Sequence, residues 1–161
     1  MKKTYLSPKN DLVFKLIFAN QQNSDLLIDF LLNVLELPKR EFDYIEFADT
    51  HLLPETLDGK LGILDIKLYT KSRNVIDIEI QVHGVPEMKE RILFYLSRMI
   101  TEQAHIGKGY ITIKKTISIV ITNYNLIIDS DSYHNQYRLY DRKTKSEFSN
   151  VMEVVTLVAY G

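Results

Sequence analysis

The segment "LGILDIKLYTKSRNVIDIEIQV", residues 61–82, constrains the fold more than any other stretch of the chain. Two runs of about eight residues alternate apolar and polar side chains on either side of the polar tip "TKSRN". Successive side chains of a strand point to opposite faces, so this pattern predicts a β-hairpin with one face hidden. In the second run Ile76, Ile78, Ile80 and Val82 fall on the apolar face, and Val75, Asp77, Glu79 and Gln81 on the other. Two readings of the polar face stand side by side. It is either the wet side of a half-buried sheet, which needs no chemistry, or the floor of an active site.

Antiparallel partners have residue numbers with a constant sum. With Ser72 at the centre of the turn, Asp65 stands opposite Glu79 and Lys67 opposite Asp77. A shift of two residues keeps the faces but opposes Asp65 to Asp77 or Gln81 instead. Directly opposed Cβ atoms lie about 4.5–5.5 Å apart, close enough for two carboxylates to repel. A divalent cation between them turns that repulsion into a ligand set, since hard oxygens suit Mg²⁺ or Mn²⁺. Gln81 shares the face and can add a neutral oxygen or an amide donor. Lys67 shares the face of Asp65, where it either supports such a site or forms a cross-strand ion pair with Asp77.

The flanking segments say what surrounds the hairpin. "SPKNDLVFKLIF" predicts a helix with Ser7 as cap and Pro8 at its first position. "SDLLIDFLLNVLEL" predicts a second, capped by Ser24, with Leu27, Phe30, Leu31, Val34 and Leu35 as its buried stripe and Pro38 beyond its end. "EFDYIEFAD" alternates as a strand through Phe42 and Tyr44. "VPEMKERILFYLSRMITEQAHIG" predicts one long helix from Pro86 to Gly107, placing Arg91, Tyr95 and Arg98 on roughly one face. "TISIVITNY" is apolar on both faces and predicts a central strand. The tail adds one or two more strands, and the pattern in "NVMEVVTLVAYG" suggests a C-terminal edge strand or a longer parent protein. The order predicts an α/β domain: a mixed sheet flanked by helices.

With 161 residues, the chain has the length of one domain. A formal net charge of −1 gives no global attraction to nucleic acid, so any such surface must be local. Without cysteine, disulfides, thiolate chemistry and Cys-bound zinc are excluded. No apolar run approaches the roughly 20 residues of a membrane span, and "MKKTYLSPKND" lacks the core of a signal peptide, which makes the cytoplasm the expected compartment. The four histidines have no ligand-like spacing.

In order along the chain, "DLVFKLIF", "LLIDFLLNVL", "GILD", "IEIQ", "ERILFYLSRM" and "GKGYITIKKTISIVITN" resemble the PD-(D/E)XK nuclease superfamily, and most closely its putative transposase and recombination-promoting nuclease branch. That resemblance covers nearly the whole chain and implies a restriction-endonuclease-like core and a metal-dependent DNA endonuclease tied to transposition or recombination. It implies that Asp65 and Glu79 hold Mg²⁺ or Mn²⁺ with the Ile80 carbonyl, and that the ion activates a water against the phosphate. Gln81 takes the place of the motif lysine, as is common in that branch, and Leu64 replaces the proline before the aspartate. Asp11 and Glu46 are carried as additional acidic ligands, and Arg91 and Lys67 as phosphate or site support. DNA is the implied partner, with a homodimer as a further one and no membrane. Members are usually longer, which agrees with this chain being the N-terminal part of a larger protein. The competing reading is an inactive member that serves as a DNA-binding or dimerisation module.

Overall fold

The computed structural model describes residues 10–159 except 55, 57 and 129, and the side chain of Asp11 lies outside that description. Along the chain come α1 (Asp11–Phe18), α2 (Ser24–Val34), β1 (Ile45–Phe47), β2 (His51–Leu52), β3 (Gly62–Ile63), β4 (Ile66–Thr70), β5 (Val75–Gln81), α3 (Met88–Thr101), β6 (Thr116–Thr122), β7 (His134–Tyr140) and β8 (Glu147–Val158). Six strands form one mixed sheet in the order β1-β4-β5-β6-β8-β7, and β2 and β3 make a separate two-stranded ribbon.

The hairpin is the antiparallel pair β4–β5, with Ile66 opposite Ile78 and Lys67 opposite Asp77, as a turn centred on Ser72 requires. β5, β6 and β8 run parallel, and α3 is the crossover between the first two. Parallel strands are covered on both faces, and every residue of β6 is buried accordingly.

The two faces of β5 meet different layers. Ile76, Ile78 and Ile80 pack with Ile117, Ile119 and Ile121 beneath Phe14 of α1 and Leu27 and Leu31 of α2. On the opposite face, Val75 packs with Leu96 and Met99 of α3, and Val120 with Met88 and Ile92. Asp77 and Glu79 therefore lie under α3 and not in water: Asp77 is 0% exposed and Glu79 3%. No helix is long and apolar enough to cross a membrane, among the described residues.

Several local expectations are corrected. The proposed caps Ser7 and Pro8 lie outside the described residues, and α1 is capped by Asn10, whose side chain accepts from the Leu12 and Val13 N–H groups. Ser24 is the first residue of α2 and not its cap. Residues Lys39–Asp43 wind into a 3₁₀ turn, so the strand in that region is only β1. Glu41 and Phe42 are both buried there. A strand would have sent two adjacent side chains to opposite faces. α3 stops at Thr101, well short of Gly107. Gln103 then ties the departing chain to the start of β6 by bonding Thr116 Oγ1 and the Lys114 N–H, both at 2.8 Å. β8 is interior, and β7 takes the edge.

Candidate active site

Asp65 stands just before β4, where the ladder with β5 ends at the Ile66–Ile78 pair. Beyond that pair, Asp65 itself closes the edge of β5. Its backbone N–H donates to Glu79 Oε1 at 3.0 Å, and its Oδ2 accepts from the Ile80 N–H at 2.9 Å. Side-chain oxygens thus take the place of the next ladder bonds, which fixes both carboxylates against one stretch of backbone. Each helical layer then contributes a cation. Lys15 of α1 reaches Asp65 Oδ1 at 2.8 Å, and Arg91 of α3 meets Glu79 Oε2 at 3.3 Å.

A third carboxyl lies deeper. Asp77 Oδ2 accepts from Ser118 Oγ at 2.8 Å, and its Oδ1 has no hydrogen-bond partner. Burial, and then the charge of Glu79, push Asp77 well above the usual carboxylate range, which favours its neutral form. Burial and the charge of Asp65 raise Glu79 to about 7, against the pull of the Asp65 N–H, Arg91 and Lys15. Three carboxyls meet only two cations here, and their oxygens are hard donors. Those two properties fit a divalent cation. Among the described residues no three His, Asp or Glu side chains form a cluster that would enclose a metal by themselves. The remaining ligands would be backbone, water and substrate oxygens, which Mg²⁺ commonly keeps.

The other predicted residues divide. Gln81 donates from its amide nitrogen to the His83 carbonyl at 2.6 Å. Lys67 is buried and pairs with Glu102 at 2.8 Å, not with Asp77, so neither of its two expected roles is seen. Glu46 lies opposite Tyr69 at the far end of the hairpin, joined to Arg73 at 2.7 Å, and does not reach the pair. The side chain of Asp11 falls outside the described residues. Arg98 donates to the Leu53 carbonyl and anchors the loop before β3. Beside Arg91 opens a cavity of about 470 Å³ bordered by Lys60, Leu61, Phe94 and Tyr95.

Sequence reasoning missed Lys15. Its only signal was the "FK" of "DLVFKLIF", and helix periodicity cannot tell which cation a sheet edge will meet.

A mixed sheet between helical layers, with two carboxylates joined across the end of a hairpin, is an α/β, restriction-endonuclease-like architecture. A family profile described as PD-(D/E)XK nuclease family transposase matches residues 8–157, and the chain belongs to that family. Nucleases of this family generally use divalent metals. No curated protein and no solved structure matches the chain.

Proposed function

We propose that the protein is a Mg²⁺- or Mn²⁺-dependent DNA endonuclease serving transposition or recombination, with Asp65 and Glu79 as its metal ligands. The observation that carries this reading is the carboxylate pair locked across the end of β4–β5 with one cation from each helical layer. Bound there, a divalent ion supplies Lewis-acid stabilisation of the scissile phosphate and makes a water nucleophilic at neutral pH.

The chain's own residues do the rest. The N–H and C=O of one strand residue project to the same edge, so the Ile80 carbonyl faces the side on which its N–H meets Asp65. That makes it the third protein ligand. Arg91 orients Glu79 and offsets charge on the incoming phosphate backbone. Gln81, released from His83, orients the attacking water or a phosphate oxygen. The water oxygen forms a new P–O bond as the P–O bond to the leaving oxygen breaks; the water's proton passes to solvent, and solvent protonates the leaving oxygen. A homodimer on DNA would set one site against each strand, and we infer that arrangement. Sedimentation with and without a short duplex tests it.

The central test is nicking of supercoiled plasmid with Mg²⁺ or Mn²⁺. Asp65→Ala and Glu79→Ala are each expected to lower the rate at least about a hundredfold. Unchanged nicking by both variants refutes the assignment. The amide of Gln81 turned to His83 favours one second reading, a DNA-binding module without turnover. Mn²⁺ binding that depends on Asp65, with no cleavage, would select it.

A further inference from the structure

We propose that Lys15 is a substrate-contacting residue, an ammonium parked on Asp65 that is handed to the DNA phosphate when metal takes its place. The inference rests on the nuclease reading above and deepens it. Asp65 has two oxygens. Oδ2 is fixed by the Ile80 N–H at 2.9 Å, and Oδ1 is held by Lys15 at 2.8 Å. Oδ1 is the oxygen a metal can take without breaking the backbone bond. An ammonium and a divalent ion on one oxygen repel at close range, so one displaces the other.

Lys15 is suited to that exchange. Its stem leaves α1 one residue after Phe14, which is buried in the core, while the Lys15 side chain remains 36% exposed. The side chain therefore starts from a core-packed turn of α1 and is partly open to solvent, where a phosphate arrives. A lysine acts as a compact charge on a flexible stem and can follow an anion from carboxylate to phosphate. Arg91 serves the other carboxylate: its guanidinium meets Glu79 and lies over the Tyr95 ring at 5.3 Å. Gln81 cannot serve in its place, because its amide carries no charge. Lys15 is thus the cation that helix α1 brings to the pair.

The exchange predicts two opposite effects in one variant. Lys15→Met removes the competitor and is expected to bind Mn²⁺ about threefold to tenfold more tightly in titration calorimetry. The same variant is expected to bind a fluorescent DNA duplex about tenfold more weakly in Ca²⁺, and to lower kcat at least about tenfold in Mg²⁺. Lys15→Arg keeps the charge and should restore most of the DNA affinity. A purely structural lysine would weaken metal and DNA binding together, with a lower urea midpoint, and that outcome overturns the proposal. Unchanged Mn²⁺ and DNA affinities in Lys15→Met overturn it equally. If the wild type binds Mn²⁺ and DNA but cuts nothing, the nuclease reading fails, and the paired affinities still decide the role of Lys15.

Discussion

Glu79 lies between two demands. Its carboxyl is raised from 4.5 to about 7, first by burial and then by the charge of Asp65. A metal binds only the carboxylate, so proton and metal compete for it. Mn²⁺ affinity is expected to climb as pH rises from about 6 to about 8 and then level off. Calorimetry at constant ionic strength checks this, and a flat profile would count against Glu79 as a ligand. Stability runs the other way. An acid whose folded pKa lies above its unfolded value costs stability as pH rises through that window, because the folded state keeps a proton the unfolded state releases. Glu79→Gln removes that cost, and should stabilise the metal-free protein above neutrality by on the order of 2 kcal/mol in urea melts while abolishing Mn²⁺ binding. Asp77 differs, since it is buried beside Ser118 where its neutral form is favoured. Asp77→Asn matches the shape and charge of that form and is expected to remain within about 1 kcal/mol of wild type.

At the scale of elements, the hairpin owes its tip to a residue outside it. Glu41 accepts from Thr70 Oγ1 at 2.9 Å, Ser72 Oγ at 2.8 Å and Asn74 Nδ2 at 3.1 Å. Burial alone would raise its pKa, but the bonds from Ser72 and Thr70 outweigh it and hold the carboxyl below its usual 4.5. Glu41→Ala leaves those donors unpaired and is expected to cost about 1–3 kcal/mol in urea unfolding. A depressed folded pKa gives stability that is present above the unfolded value and lost as pH falls through the folded one. The wild type should therefore lose stability in acid more steeply than the alanine variant. None of this was legible beforehand. "EFDYIEF" alternates as a strand does, and the burial of Glu41 depends on a contact with a turn some thirty residues on. The hairpin itself was legible, because alternation and a polar tip are local properties.

Across the whole molecule, β8 carries the sheet past its parallel core. Glu153 on this strand is 1% exposed and holds Arg138 of β7 at 2.9 Å, along with Lys115 just before β6. Removing it takes the buried carboxylate from Lys115 and leaves Arg138 only the longer pairs to Glu36 and Glu147, so Glu153→Ala is expected to cost about 3–5 kcal/mol, read as a lower melting temperature. No bond in this network involves Asp65 or Glu79, so plasmid nicking per folded molecule should be unchanged. By itself the sequence determined the hairpin and the face each of its side chains takes; of the registers that keep those faces, the structure takes the one with Ile66 opposite Ile78. Period-two alternation and a short turn fix the hairpin and its faces within some twenty residues of chain. Only the tertiary structure decided which cations reach the pair, that Gln81 bonds His83, that Glu46 stands apart and that burial drives Asp77 toward its neutral form. Those outcomes depend on α1 and α3 closing over opposite faces of the sheet. Burial and charge between layers come from packing, and no periodicity along the chain encodes them.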